Sequence, residues 1–235
     1  MAKLVIDIET VGEDFDQMDE ITQESLTYGI KKEAKNEAEY QVALANLKNE
    51  MGFSPLMAKI VTIGVLDVEQ NKGVIYFAAP GENLIEFEEG DFKFKPMTEK
   101  EMLQNFWEGA KSYDTFITFN GRGFDIPFII TRSAVNQVKI TRDLMSNRYL
   151  GSQRGAIHVD LFDQLTFYGS TRRKGGLHLW CRALGIASPK REGINGDDVA
   201  RLFQEKKFID IAKYNTRDLI ATKELYVKWR EFMTL

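Results

Sequence analysis

The chain has 235 residues, 43% of them hydrophobic and 28% charged, the proportions of a soluble globular domain with room for an insertion. A net charge of −4 argues against a protein that coats nucleic acid through bulk electrostatics, though not against an enzyme that binds a strand end. No apolar run nears the roughly 20 residues that cross a bilayer, and the strand-like LVIDI replaces the charged and apolar regions of a signal peptide. The single cysteine, Cys181, lies in apolar LHLWCRALGI, which predicts a buried thiol and a reducing cytoplasm.

In chain order, KLVIDIE reads as a buried strand. Residues from about 13 to 50 are rich in Glu, Lys, Asn and Ala, with Tyr40, Leu44, Leu47 and Met51 at helical spacing, and predict a helical insertion. AKIVTIGVLDV returns to strand, and GVIYFAA is its expected hairpin partner across Asn71 to Gly73. Thr98 with Glu101 forms a capping box that opens a helix through about Lys111. TFITFN is a short strand ending at NGRGFD, where Pro127 suits the first turn of a helix. GAIHVD is a further short strand. GLHLWCRALGI, DDVARLFQEK and IAKYNTRDLIATKELYVKWREF then carry apolar stripes of helical period. This order fits a mixed sheet covered by helices.

Four acids stand where soluble proteins avoid them. Asp7 and Glu9 interrupt an apolar strand, and their spacing of two projects both carboxylates from one face. Burying like charges side by side is costly unless a cation neutralises them. Asp125 closes the glycine-bearing junction FITFNGRGFDIPF, a place where an Asp is also favoured simply as an early helical residue. Asp218 follows Tyr214 by four residues, so the carboxylate and the phenol share a helix face. Taken singly each acid reads more readily as structural. Together they supply the oxygen ligands that two-metal phosphodiester hydrolysis requires.

VIDIET, FNGRGFD and YNTRD match, in this order, the three exonuclease motifs of the DEDD superfamily of 3′→5′ exonucleases. One branch places a His five residues before the last Asp, where this chain has Lys213. The other places a Tyr four residues before it, where this chain has Tyr214. The chain therefore resembles the tyrosine branch of these DnaQ-like enzymes, which includes the proofreading domains of family A and family B DNA polymerases. It is most similar to stand-alone proteins like the family B exonuclease domain, and IASPKREGINGDDVARLF resembles what that group carries before its third motif. The resemblance runs from Lys3 to about Trp229 and is least distinctive over about 13 to 55.

That resemblance implies a ribonuclease H-like α/β fold, with a mixed five-stranded sheet flanked by helices and a helical insertion after the first strand. One exonuclease domain would span 1–235. It implies two divalent cations, Mg²⁺ or Mn²⁺, held by Asp7, Glu9, Asp125 and Asp218. Asp7 would bridge both, Glu9 and Asp218 would complete the site of the attacking water, and Asp125 would support the second ion through water. Tyr214 would orient the water, Thr10 would contact the terminal nucleotide, and Asn120 and Phe124 would shape the strand-end pocket. The expected substrate is the 3′ end of single-stranded DNA, released as nucleoside 5′-monophosphates. A replication or repair protein is a further expected partner, and a membrane is not.

Other residues carry plainer readings. His158 and His178 are expected to be structural or at the surface, and Asp160 a strand-end or helix-cap residue. Phe162, Phe167, Tyr168 and Trp180 could stack bases but read mostly as core. The basic clusters Arg148 with Arg154, Arg172 to Lys174, and Lys190 with Arg191 read equally as solvated faces or phosphate contacts. Two alternatives stand beside the exonuclease: an endonuclease or RNA-directed nuclease on the same fold, and a catalytically weak domain that binds nucleic acid or a partner.

Overall fold

In the computed structural model, which describes residues 2–189 and 196–234, the run KLVIDIETVG forms strand β1 (Lys3–Gly12). Apolar residues on both of its faces place it inside the sheet. It pairs antiparallel with β2 (Ala58–Asp67) and parallel with β6 (Thr115–Thr118). β2 turns through Asn71, whose φ of 54° is left-handed, into antiparallel β3 (Lys72–Phe77). β6 pairs parallel with β7 (Ile157–Asp160).

Among the described residues the sheet has seven strands, in the order β4-β5-β3-β2-β1-β6-β7, two more than the resemblance implied. The additional pair is β4 (Phe87–Glu89) and β5 (Phe92–Pro96), and β5 lies parallel to β3. Their segment, FEEGDFKFKP, is short, and its one apolar signal is the alternation of Phe92 and Phe94, both buried, with Lys93 and Lys95. Edge pairing rests on backbone hydrogen bonds, and the edge charges Lys93 and Glu86 pair with each other at 3.0 Å.

Helices cover both faces. Leu4, Ile6 and Ile8 pack under α3 (Glu99–Ala110) and α4 (Asp125–Val135), against Met102, Phe106, Trp107 and Ile129. The capping box of Thr98 and Glu101 opens α3, and Trp107 Nε1 donates to Ser133 Oγ of α4 at 2.8 Å. Val5 faces the other way. That side is covered by α5 (Leu161–Leu165), α6 (Leu177–Ala183) and the long α8 (Phe208–Phe232), with Cys181, Leu219 and Leu225 buried between. A short α7 (Val199–Gln204) precedes α8.

Between β1 and β2 lie α1 (Glu20–Glu33) and α2 (Glu37–Glu50), outside the sheet. Thr27 is the buried residue of α1, and α2 has none. Phe15 before them and Met51 after them are buried and tie the stretch down. No helix among the described residues is long and apolar enough to cross a membrane.

Candidate active site

Alternation along β1 sends Leu4, Ile6 and Ile8 to the α3/α4 face and Val5 to the α8 face, so Asp7 and Glu9 also point toward α8. The register with β2 shifts between Glu9 and Thr10, a bulge that redirects the chain just past the second acid. From α8 comes Asp218. Carboxylate oxygens of Asp7, Glu9 and Asp218 all lie within 4.8 Å of one another, with Glu9 and Asp218 buried and Asp7 half-buried.

Asp125 belongs to the opposite helix layer and is not one of that trio among the described residues. It opens α4 and is buried, and its Oδ1 accepts the Ile8 N–H at 3.1 Å. Burial pushes the Asp7 and Glu9 carboxyls well above the usual carboxylate range, and the charges of Asp218 and Asp125 push them further. Burial also pushes Asp125 up to about 7. Crowded acids with only oxygen donors are the donor set of a hard divalent cation, and binding one would relieve their repulsion. The residues therefore fit the metal that the sequence implied.

Tyr214 sits one turn before Asp218 and is buried, and its phenol hydrogen-bonds Asp218. Burial first, then the surrounding carboxylates, raise the phenol above its ordinary value, so it remains a proton donor at neutral pH. Asn120 is exposed with φ 65°, and the loop it opens is pinned from below. Asp160 caps α5 and accepts the backbone N–H groups of Asn120, Arg122 and Phe162, each at 2.9 Å. A Cβ on Gly121 would stand 2.3 Å from Thr118 Oγ1, so this turn needs its glycine. Phe124 is half-buried, edge-on to Phe53 at 6.1 Å and tilted against Phe128 at 5.3 Å. The Thr10 hydroxyl is engaged internally, donating to the Gly52 carbonyl at 2.7 Å.

Two neighbours of the trio escaped the sequence reading. Asn215 is fully buried and its Nδ2 donates to Asp7 Oδ2 at 2.7 Å. Gly64, opposite Asp7 on β2, leaves the space that Asn215 fills. Both signals were present: Asn215 falls three residues before Asp218 and so on the same helix face, and a glycine inside an apolar strand marks close approach. The histidines lie elsewhere. His158 is buried between Thr118 Oγ1 and the Leu144 carbonyl, each at 2.9 Å, and His178 bonds Ser188. Arg148 is bound to Asp163, and Lys190 and Arg191 lie outside the described residues.

A family model described as a predicted 3′-5′ exonuclease related to the exonuclease domain of PolB matches residues 53–234. The chain belongs to this family. The match takes in Asp125, Tyr214 and Asp218 and starts beyond Asp7 and Glu9. A DNA polymerase from Desulfurococcus sp. (strain Tok) is 28% identical over 143 residues, which are 54% of this chain and 18% of the polymerase. The fold is similar to the family B DNA polymerase from the hyperthermophilic archaeon Pyrobaculum calidifontis. That likeness has a TM-score of 0.62 at 17% identity and covers 99% of this chain and 25% of the other. It extends to β1, so the fold is the ribonuclease H-like one with both first-motif acids inside the region of likeness. The chain thus spans well under two thirds of the length of these relatives.

Proposed function

We propose that the chain is a metal-dependent 3′→5′ exonuclease acting on the 3′ end of single-stranded DNA and releasing nucleoside 5′-monophosphates. The convergence of Asp7, Glu9 and Asp218 within 4.8 Å carries this reading, with Tyr214 beside them. Asp7, Glu9 and Asp218 would hold one divalent cation, and Asp7 and Asp125 would support a second. When bound, two such cations neutralise the phosphodiester and make water a better nucleophile at neutral pH.

The protein's own groups divide the remaining work. Tyr214 fixes the attacking water by hydrogen bonding and stays protonated while doing so. Asn215 keeps the Asp7 carboxylate in one orientation. Phe124 and Asn120 border the terminal base and sugar, with the Thr10 backbone close by. Residues of about 13 to 50 form an insertion peripheral to the catalytic sheet within one domain.

The test compares 5′-end-labelled single-stranded DNA, duplex DNA and RNA, with Mg²⁺, with Mn²⁺ and with chelator. A ladder shortening from the 3′ end only with metal is expected on single-stranded DNA, and a blocked 3′ end should stop it. Cleavage of a circular strand would instead identify an endonuclease, and a preference for RNA would change the substrate. Asp7→Asn should lose several orders of magnitude of turnover with an unchanged circular dichroism spectrum. Near-normal turnover in that variant would remove Asp7 from the reaction.

A further inference from the structure

Three consecutive residues after α5 take left-handed backbone angles: Phe167 at φ 50°, Tyr168 at 56° and Gly169 at 89°. Residues with a Cβ seldom enter this region, and two in succession persist only where the surroundings over-determine them. Here they do. The Tyr168 N–H donates to the Asp163 carbonyl at 2.6 Å, the Gly169 and Thr171 N–H groups both reach the Thr166 carbonyl, and Arg148 clamps the Asp163 side chain. The outcome of this constrained turn is an aromatic ring held in solvent, since Phe167 is 61% exposed. Tyr149, 56% exposed, packs against Tyr168 with ring centroids 4.6 Å apart. Arg172, Arg173 and Lys174 follow at once, all exposed, on a chain whose net charge is −4.

The position of this segment connects it to the candidate active site. β1, β6 and β7 are mutually parallel, so Glu9, the loop from Asn120 to Phe124 and Asp160 all lie at the C-terminal ends of these strands. Asp160 bolts the start of α5 to that loop, and Phe162 packs edge-on against Phe119 at 5.7 Å. At its other end the segment enters α6, whose Cys181 is buried in the same cluster as Leu219 of α8, next to Asp218. Residues 166–176 therefore connect α5, tied to the Asn120 loop through Asp160, with α6, which packs in the same cluster as α8.

We propose that Tyr149, Phe167 and the cations Arg172 to Lys174 form a second contact surface, which binds the nucleotides upstream of the terminal one in a single strand. This rests on the exonuclease reading above for the direction of the strand. The chemistry is that of single-strand binding: base faces stack on exposed rings while phosphates meet cations, with no need for sequence readout. A duplex hides its base faces and cannot use Phe167 in this way.

Binding is the readout, by fluorescence anisotropy of a 5′-fluorescein dT12 whose 3′ linkages are phosphorothioates that resist cleavage. Phe167→Ala should weaken binding about tenfold, the scale of one lost base stack. Phe167→Tyr keeps the ring and should bind close to wild type, which separates stacking from a folding defect. Replacing Arg172, Arg173 and Lys174 together by Ala should lower the slope of log affinity against log salt by about 2, from about 0.7 per phosphate contact. Unchanged affinity in Phe167→Ala together with an unchanged salt slope overturns the proposal, as does wild-type binding no tighter to dT12 than to dT2. Hydrolysis of unmodified dT12 is scored separately, so a protein that binds in this way but does not cleave would sink the exonuclease reading alone.

Discussion

At position 64 a Cβ would stand 1.8 Å from Asn215 Oδ1 and 2.7 Å from a Leu219 methyl. Gly64→Ala must therefore displace Asn215, and with it the hydrogen bond that orients Asp7. Losing such an outer partner of a metal-binding carboxylate typically weakens metal binding about 10–100-fold. Titration calorimetry with Mn²⁺ should show that loss in Gly64→Ala, and the double variant Gly64→Ala, Asn215→Ala should recover thermal stability but not affinity. Equal Mn²⁺ affinity in wild type and Gly64→Ala would show that Asp7 needs no such support. His158 supplies a second test at this scale. Burial lowers its pKa from 6.5 to about 4, so the folded protein keeps it neutral while the unfolded chain protonates it near 6.5. Its contribution is full above pH 6.5 and is lost as pH falls toward 4, by as much as about 3 kcal/mol over the window. Without metal, the raised carboxyls of Asp7, Glu9 and Asp125 act oppositely, gaining stability as pH falls. The measurement is therefore the difference between wild type and His158→Gln in urea unfolding at a series of pH values, in which the carboxyls cancel. A difference that does not change with pH would mean His158 titrates in the fold as it does in the unfolded chain.

The elements differ in how well their residues announce them. β1 was legible because apolar residues on both faces and two misplaced acids coincide within Lys3–Glu9, and α3 because its capping box is a local signal complete within four positions. β4 and β5 were not, because strands of three and five residues offer only the brief alternation of Phe92 and Phe94 with Lys93 and Lys95, and the stack of Phe87 on Phe94 exists only once they pair. The same limit applies to the site. The acids and Tyr214 could be read from type and spacing, whereas the Gly64–Asn215–Asp7 contact joins residues 208 apart in sequence at its ends and exists only once β2 and α8 pack. The stretch from β1 to β2 carries its own expectation. α1 and α2 bury almost nothing, and their surface contacts, such as Lys48 with Asp16 at 2.7 Å, are exposed ion pairs of small value. They should open without the sheet, since local stability follows buried apolar contact. Native-state hydrogen exchange should find amides of 20–50 exchanging far ahead of those in β1 and β2. Protection there equal to that of β1 would mean the helices are part of the cooperative core.

Over the whole molecule, the three clustered carboxylates come from opposite ends of the chain, Asp7 and Glu9 from the first strand and Asp218 from the last helix. In the unfolded chain they are far apart and bind a cation no better than any other acids. In the fold they are crowded, and burial first, then the neighbouring charges, pushes the Asp7 and Glu9 carboxyls up. A cation that binds only the folded arrangement must therefore stabilise it, through mass action alone. At a metal concentration about ten times the dissociation constant the gain is about 1.4 kcal/mol. For a chain of this size that is a rise in melting temperature of roughly 3–6 °C. The rise needs no substrate, so it tests the site apart from turnover. It should appear with Mg²⁺ or Mn²⁺, vanish with chelator, and shrink in Asp7→Asn and Asp218→Asn, each of which takes one charge from the cluster. Those variants should themselves melt higher than wild type in chelator, because removing one of several repelling charges relieves the metal-free fold. An equal metal-dependent rise in wild type and both variants would place the cation elsewhere on the surface, and the link between β1 and α8 would then be packing alone.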